Sequence, residues 1–239
     1  MLTSNGSDIQ ENCLTCPWRQ GSWFCGLSRP KLQHLQRIAL RKTLDSGTVL
    51  YREGQAPSGL FILCGGRAKI SVSSKRGSVV IVKVAEAGEA LGLEALLANR
   101  AHEETAQLLD SGQVKFVPKE KLLPYLAAHS EAALKAASQL NANCLSAREQ
   151  IRHIGLSVSG SEKLTRLLIT WAKTGKDGQP WERIVEAPFT HLEIAQMVGS
   201  TRETVTRALN NLKRTGVLEV RGKTLVVKNL EELERLVNG

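Results

Sequence analysis

The pattern of apolar and polar residues is typical of short strands between Gly47 and about Val117. Brief apolar runs, "TVLY", "LFIL", "AKISV", "VVIVKV" and "QVKFV", are separated there by glycine-containing segments. Short strands at regular spacing with glycine turns indicate a small β-sandwich or roll. We therefore predict a β-roll in this part of the chain.

The pattern becomes helical from about Pro124. Apolar residues recur at alternating spacings of three and four, which is typical of a coiled-coil seam. The seam is formed by Ala137, Leu140, Cys144, Ala147, Ile151 and Ile154. A helix with such a seam commonly pairs with a copy of itself, whereas the alternative is packing on its own domain. We expect a homodimer.

The C-terminal part of the chain has the pattern of two short helices followed by a hairpin. Thr190 and Glu193 have the spacing of a helix-capping box, and Ser200 and Glu203 repeat it. Gly199 lies between the two helices, where a tight turn favours glycine. Two helices joined by such a turn indicate a helix-turn-helix unit. The runs "VLEV", "RGK" and "TLVV" predict a hairpin, which makes the unit winged.

The second of these helices begins with side chains that are suited to reading DNA. Arg202 and Arg207 can donate pairs of hydrogen bonds to guanine, and Glu203 can accept one from cytosine. Glu203 and Arg207 are four residues apart and share a face, so a surface salt bridge between them is the alternative. The helix start and the basic side chains farther along suit phosphate contacts. The predicted DNA-binding residues are Thr201, Arg202, Glu203, Thr206, Arg207, Lys213, Arg214 and Lys223.

Charge and hydropathy narrow the class of partner. The 32 basic and 23 acidic residues leave a net charge of +9, which favours a polyanion such as double-stranded DNA. No apolar run approaches the ~18–20 residues of a membrane span. The polar N-terminus lacks the pattern of a signal peptide. We expect a cytoplasmic protein without a membrane partner.

Three of the five cysteines, Cys13, Cys16 and Cys25, lie close together near the N-terminus. In a reducing compartment, clustered thiols indicate metal or redox chemistry more than structural disulfides. Thiolates suit both iron–sulfur clusters and zinc. Three interpretations therefore stay open: an iron–sulfur cluster, zinc or a thiol-based redox switch, and thiols without metal.

An enzyme built on a β-roll is the competing functional class. Such an enzyme would need clustered metal-binding histidines, but the five histidines are scattered through the sequence. No nucleophile-elbow motif and no phosphate-binding glycine loop are visible. We expect no enzymatic activity.

The segment "EIAQMVGSTRETVTRALNNLKRTGVLEVRGKTLVV" resembles the DNA-binding end of the Crp/Fnr superfamily of bacterial regulators. Its most specific element is the R-E-T-V-x-R core, and the likeness spans about residues 28–230. The resemblance implies an α+β fold: a β-roll of the cyclic-nucleotide-binding, jelly-roll type, a long dimerisation helix and a winged helix-turn-helix. The implied domains are a cysteine-containing arm (1–27), a β-roll sensor (28–123), a dimerisation helix (124–156) and a DNA-binding domain (160–239).

The resemblance also implies how DNA is read. Arg202, Glu203 and Arg207 match the family's three base-reading positions. This combination resembles the subgroup that reads TGTGA-type half-sites in near-palindromic operators. RNA polymerase is a further partner that the family implies.

The family's cyclic-nucleotide binders hold the ribose through a G-E-L segment and the phosphate through R-S-A or R-T-A. Here Gly92 is separated from Glu94 by a leucine, and Glu104 stands where the arginine is expected. A carboxylate repels a phosphate, so we do not expect cyclic AMP as the ligand. Arg100 or Arg67 remains available for a different anion, and another small molecule in the β-roll is the alternative signal.

Oxygen-sensing members of the family place three cluster-ligating cysteines just before the β-roll, where Cys13, Cys16 and Cys25 lie. Two features depart from that pattern. The eight-residue gap before Cys25 is longer, and the strand "QVKFVPKEKL", which should supply the fourth ligand, has no cysteine. Cys64, beside two glycines at a strand end, is the alternative fourth ligand. The resemblance thus implies an iron–sulfur cluster as the candidate cofactor.

Overall fold

The computed structural model describes residues 12–19, 23–155, 159–174, 176–177, 182–186, 189–222 and 224–238. The helices are α1 (Arg29–Ile38), α2 (Leu93–Ala98), α3 (Lys119–Ala128), α4 (Ser130–Gly155), α5 (Gly160–Thr174), α6 (His191–Val198), α7 (Arg202–Arg214) and α8 (Leu230–Asn238). The strands are β1 (Leu40–Leu44), β2 (Val49–Tyr51), β3 (Gly59–Leu63), β4 (Ala68–Ser73), β5 (Val79–Ala85), β6 (Ala90–Leu91), β7 (Thr105–Leu108), β8 (Gly112–Pro118), β9 (Lys176–Asp177), β10 (Arg183–Glu186), β11 (Leu218–Arg221) and β12 (Thr224–Val227).

Two four-stranded sheets form the predicted β-roll, with strand orders β1-β8-β3-β6 and β2-β7-β4-β5. The five apolar runs of the sequence appear as β2, β3, β4, β5 and β8. The pattern missed β1, β6 and β7. Most residues of β1 are exposed and its sequence "LRKTL" carries no clear alternation, while β6 and β7 are only two and four residues long. The β-roll prediction is confirmed.

The first sheet buries both of its faces. Successive residues of a strand point to opposite faces, so Leu63 of β3 and Val114 of β8 enter the core between the sheets. Leu60, Ile62 and Val117 point the other way and join a second core. That second core is completed by the N-terminal arm and α1 through Phe24, Leu27, Leu32 and Leu35. The arm that carries the clustered cysteines is therefore packed against the sheet.

The helical segment after the β-roll is not one continuous helix. It begins at Lys119 rather than near Pro124, and it is interrupted at His129, whose backbone is extended (φ −130°, ψ 90°). The His129 carbonyl accepts hydrogen bonds from the backbone N–H groups of Ala132 and Ala133, at 2.9 and 3.1 Å, and so begins α4. Pro124 lies inside α3. The predicted helix start therefore lies about one turn after the observed one, and the predicted single helix is two helices.

The start of α4 is tied to α1. Glu131 accepts hydrogen bonds from the backbone N–H and the hydroxyl of Ser28, at 2.8 and 2.7 Å, and from Lys31 at 2.6 Å. Ser28 is the residue before α1, but its hydroxyl is used in this contact and does not cap α1. The hydrogen bonds from Lys31 and then from Ser28 hold the pKa of Glu131 down to about 2.

Contacts divide the chain into two compact units, and the boundary falls between Ser146 and Ala147, within α4. Residues 156–158, where the predicted dimerisation helix gives way to the predicted DNA-binding domain, lie outside the described residues. In the second unit, a core of apolar side chains joins α5 to α8 and the sheet of order β11-β12-β10-β9. Strands β11 and β12 form the predicted hairpin.

Candidate functional site

The first helix of the helix-turn-helix begins at a complete capping box. The Thr190 hydroxyl accepts a hydrogen bond from the backbone N–H of Glu193 at 3.2 Å. The Thr190 backbone N–H in turn donates to the Glu193 carboxylate at 2.9 Å. Each side chain satisfies a backbone donor that the first turn of a helix leaves unpaired. The capping box predicted for α6 is confirmed.

The second predicted capping box is wrong by one residue. Helix α7 is capped by Thr201, whose hydroxyl accepts from the backbone N–H of Thr204 at 3.2 Å. Ser200 still belongs to the end of α6, because its backbone N–H donates to the Ala195 carbonyl at 2.9 Å. Gly199 makes this closure possible with a positive φ of 59°. The turn thus uses Ser200 to end one helix and Thr201 to begin the next.

Helix α7 separates a buried face from an exposed one. Val205, Ala208, Leu209 and Leu212 are buried in the core of the second unit. The side chains that project into solvent are Thr201, Arg202, Glu203, Arg207, Lys213 and Arg214. The periodicity of the helix therefore brings the predicted base-reading side chains together on the surface. Lys223, the remaining predicted contact, lies outside the described residues.

Glu203 is held ionised on this surface. Its pKa is lowered by a hydrogen bond to its own backbone N–H, by the Thr201 hydroxyl, and by the charges of Arg202 and Arg207. Within the described residues, no ion pair joins Glu203 to Arg207, so the salt-bridge alternative is not realised. The carboxylate is available as a hydrogen-bond acceptor.

Thr206 is positioned by a contact that sequence spacing does not show. Its hydroxyl lies 2.9 Å from Nδ1 of His191, the first residue of α6. The two residues meet only because α6 and α7 cross, so no local pattern pointed to His191. Thr206 is half-buried, unlike Arg202 and Arg207.

Two charged groups of the wing already have partners. Arg221 donates to Glu219 through two nitrogens, at 2.7 and 3.0 Å. Lys228 contacts both Glu182 and Glu219, at 2.5 and 2.9 Å. On α7, Arg214 donates to the side chain of Asn211 at 3.0 Å. Part of the positive charge in this region is therefore compensated inside the protein.

The four cysteines predicted as ligands line one cavity at the face of the first sheet that the N-terminal arm covers. Its empty volume is about 470 Å³, including open space at its mouth. Cys13 and Cys25 are buried, Cys16 and Cys64 are half-buried, and all four are free thiols. Phe24, Leu32, Leu35 and Ile62 form apolar walls. The structure thus brings Cys64 to the three cysteines that are distant from it in sequence.

The cavity disfavours isolated thiolates. Burial raises the pKa of Cys25 to about 12, and the neighbouring Cys64, Cys16 and Cys13 add to the shift. Burial also raises the pKa of Cys64 to about 11, although the charge of Lys115 acts in the opposite direction. Across the described part of the chain, no group of three His, Cys, Asp or Glu side chains is arranged to hold a metal ion.

Lys115 is the residue of this cavity that sequence reasoning missed. It is only 6% exposed, and its ammonium donates a hydrogen bond to the sulfur of Cys13 at 2.5 Å. A signal was present, because Lys115 interrupts the apolar run "QVKFV" of a buried strand. The side chain faces the cysteines because β8 directs alternate residues toward the arm.

Acidic and aromatic side chains meet in the β-roll around Glu104, where the sequence departs from the cyclic-nucleotide-binding pattern. The Tyr51 hydroxyl donates to Glu104 at 3.0 Å, and the His102 ring stacks on Tyr51 with centroids 3.9 Å apart. Burial, followed by the charge of Glu94, raises the pKa of Glu104. Arg67, proposed above for an anion, is engaged with Asp110 through two hydrogen bonds of 2.8 and 3.0 Å. This arrangement does not suit a phosphate.

The predicted seam of α4 is largely exposed. Ala137, Cys144, Ala147 and Ile151 face solvent, whereas Leu140 is half-buried against the core beneath the arm. Two further apolar side chains of α4, Leu134 (69% exposed) and Leu145 (54%), are also exposed and lie outside the predicted seam. The side chain of Ile154 lies outside the described residues.

No helix in the described part of the chain combines the length and the apolar character needed to cross a bilayer.

Two protein-family models match two separate segments of the chain. Residues 41–129 match the family model of the cyclic nucleotide-binding domain, and residues 162–236 match that of the Crp-like helix-turn-helix domain. The "Anaerobic regulatory protein" of Aggregatibacter actinomycetemcomitans is 24% identical over 94% of this chain and 87% of its own length. The "Fumarate and nitrate reduction regulatory protein" of Vibrio cholerae is 23% identical over 98% of this chain and 93% of its own.

The fold is shared with solved structures. FixK2 from Bradyrhizobium japonicum superposes with a TM-score of 0.71 at 20% identity, over 83% of this chain and 97% of FixK2. The order of a β-roll, helices and a C-terminal helix-turn-helix is therefore common to both chains.

Proposed function

Because this chain belongs to the Crp/Fnr family of DNA-binding transcription regulators, we propose that it binds a near-palindromic operator as a homodimer and responds to oxygen or redox state through its cysteines. The observation that carries the DNA-binding part is the exposed set of Arg202, Glu203 and Arg207 on a helix whose other face is buried. RNA polymerase is the further partner that such a regulator in the cytoplasm would meet.

Base reading follows from the chemistry of α7. Arg202 and Arg207 can each donate two hydrogen bonds to the O6 and N7 atoms of guanine, and the ionised Glu203 can accept from cytosine N4. The N-terminal part of a recognition helix enters the major groove. Arg202, Glu203 and Arg207 all lie in the N-terminal half of α7. Guanine and cytosine contacts at this spacing suit TGTGA-type half-sites.

The other predicted contacts serve the DNA backbone. Thr201 stands at the start of α7, where unpaired N–H groups and the helix dipole attract a phosphate. Lys213 and Arg214 lie at the opposite end of the exposed face, and Lys223 belongs to the wing sequence. Such contacts supply affinity and salt dependence without sequence preference.

Dimerisation is supported by the apolar strip of α4. Four residues of the predicted seam are exposed and are not covered by other parts of the same chain: Ala137, Cys144, Ala147 and Ile151. A copy of the same helix supplies the complementary surface in a two-fold dimer. Two copies of α7 in a dimer can then read two half-sites of a palindrome.

The four cysteines of the N-terminal cavity support the proposal through their chemistry, because thiolates are the usual ligands of iron–sulfur clusters. Cys13, Cys16, Cys25 and Cys64 offer four soft sulfur ligands around one cavity, which matches the ligand number of a thiolate-held cluster. When bound, such a cluster would supply one-electron redox chemistry and sensitivity to oxygen. The protein's part is to present the sulfurs, to exclude water with Phe24 and Leu32, and to close the arm over the sheet.

The state of the arm has a direct connection to the dimerisation helix. Cys25 is followed closely by Ser28, whose backbone N–H and hydroxyl are held by Glu131 in the first turn of α4. Further along α4, Asn143 donates to Glu94 at 2.6 Å and accepts from Lys83 at 2.8 Å. A change at the cysteines reaches α4 in this proposal through the contact between Ser28 and Glu131.

Metal analysis tests the cofactor. Protein purified without oxygen should contain iron and sulfide and show a broad band near ~400 nm that bleaches in air. Cys25→Ser should lose the band, because Cys25 is a buried member of the ligand set, whereas Cys144→Ser on the exposed face of α4 should retain it. A colourless, metal-free protein that still binds its operator would contradict the cluster and point to a small molecule in the β-roll.

A further inference from the structure

His191 and Thr206 connect the two helices of the helix-turn-helix through their side chains. The Thr206 hydroxyl lies 2.9 Å from Nδ1 of His191. The direction of this hydrogen bond depends on which ring nitrogen carries the proton, but either direction fixes the hydroxyl beside α6. His191 is itself held in place, because it is the first residue of α6 and directly follows the capping residue Thr190.

Thr206 uses its hydroxyl differently from two other threonines in helices of this chain. In α5, the hydroxyls of Thr165 and Thr170 each donate to the carbonyl four residues earlier, at 3.0 Å. Such a carbonyl is the usual local partner of a threonine inside a helix. The Thr206 hydroxyl instead meets a side chain of the neighbouring helix. A threonine has two rotamers open to it in a helix, and His191 therefore selects between them.

Thr206 lies in the sector of α7 that carries the predicted base readers. Successive residues of an α-helix are about 100° apart around the axis, which places Thr206 about 40° from Arg202 and about 60° from Glu203, between the two. Because its hydroxyl is engaged by His191, the methyl group is the part of Thr206 that is left for contact with a base. A threonine methyl group makes apolar contact with the C5-methyl group of thymine in the major groove.

We propose that His191 is a positioning residue for operator recognition: it holds the Thr206 hydroxyl, so that Thr206 presents its methyl group to a thymine of the half-site. The proposal rests on the operator recognition proposed above. His191 does not read a base, but it determines which group Thr206 offers to one. With the hydroxyl released, Thr206 would offer a hydrogen-bonding group that accepts several bases, and the preference for thymine would be lost.

Replacing thymine by deoxyuridine removes only the C5-methyl group and isolates this contact. Each thymine of one TGTGA half-site would be replaced in turn, and fluorescence anisotropy would give the affinity of the full-length protein, purified without oxygen, for each duplex. At one position the wild type should bind the thymine duplex about fourfold more tightly, as expected for one buried methyl group. Thr206→Ser keeps the hydroxyl but lacks the methyl group, so it should bind both duplexes equally.

Variants of His191 test its part in this preference. His191→Ala should lose most of the preference for thymine, although Thr206 is still present. His191→Asn has a polar atom at the position of Nδ1 and should retain the preference. Thr206→Val carries a methyl group on both branches, so the double variant His191→Ala/Thr206→Val should keep the preference without the histidine. A merely structural role of His191 would weaken binding to every duplex, and valine at position 206 would not reverse the loss.

The outcomes separate this inference from the one on which it rests. Equal wild-type affinity for the palindrome and a scrambled duplex would contradict operator recognition itself. A selective wild type that is indifferent to every thymine methyl group, or whose preference survives in His191→Ala, would contradict only the role of His191. Equal weakening of the thymine, deoxyuridine and scrambled duplexes by His191→Ala would make His191 a phosphate contact and would also overturn it. A preference that is lost in His191→Ala and restored in the double variant is the predicted result.

Discussion

At the residue scale, the surface of α7 contains two kinds of contact that can be told apart. Arg202→Ala should weaken binding to a TGTGA palindrome by about 1–3 kcal/mol and leave a scrambled duplex little affected, because a base contact is lost. Lys213→Ala should weaken both duplexes alike, because a phosphate contact carries no sequence information. Fluorescence anisotropy with the two duplexes measures this difference. Equal losses on both duplexes for Arg202→Ala would refute its assignment as a base reader.

Glu104 makes the stability of the β-roll depend on pH. Its pKa is raised above the ordinary value of 4.5 by burial and by Glu94. The folded state therefore favours the protonated form, and the stability linked to it is complete below pH 4.5 and is lost as the pH rises through the raised pKa. Glu104→Gln, which can still accept from Tyr51, should raise the unfolding temperature at pH 7, with a gain that disappears below pH 4.5. Thermal unfolding across this range, with the exposed Glu103→Gln as the control, checks the prediction; a gain that does not vary with pH would contradict it.

Residues whose environment is set locally could be predicted from the sequence. The exposure of Arg202, Glu203 and Arg207 follows from helical periodicity, and Thr190 with Glu193 is a local cap. The cap of α7 was misplaced by one residue because Ser200 could serve either helix, and only the closure of α6 decides between them. Lys115 interrupts an apolar run, but the run does not show what the side chain faces, since that depends on an arm about a hundred residues away along the chain.

At the element scale, α4 exposes more apolar side chains than the predicted seam contains. Leu140 was counted with the dimer seam but also packs on the core beneath the arm, whereas Leu134 and Leu145 are exposed and were missed. Periodicity locates an apolar face but does not show how much of that face the rest of the fold covers. The break at His129 was missed for a related reason, since the pattern continues through an extended residue.

Ile151 offers a clean test of the strip because it is 69% exposed. Ile151→Glu places a charge in the dimer seam and should convert the dimer into monomers, with the fold retained. Ser138→Glu, also exposed on α4 but outside the seam, should remain dimeric. Light scattering gives the molar mass of each variant. A dimeric Ile151→Glu protein would exclude this strip as the interface.

At the scale of the whole molecule, the chain contains two compact units, and residues of α4 belong to both. The first unit contains the cysteine cavity and its connection to α4 through Glu131, and the second contains α7 and the wing. The match of each part to its protein family could be predicted from sequence motifs. The glycine turns, the caps and the R-E-T-V-x-R core are all local features of the sequence. The sequence offered Cys64 only as one alternative ligand, because its meeting with Cys13, Cys16 and Cys25 depends on how the arm packs on the first sheet.

The measurement that tests the central claim most directly is operator affinity before and after exposure to air. Protein purified without oxygen would be titrated onto labelled TGTGA-palindrome and scrambled duplexes, and fluorescence anisotropy would be recorded at one salt concentration. The account predicts tight, sequence-selective binding without oxygen, and loss of that selectivity in air as the ~400 nm band disappears. Selective binding that air leaves unchanged would contradict the proposed oxygen response, and equal affinity for both duplexes would contradict operator recognition itself.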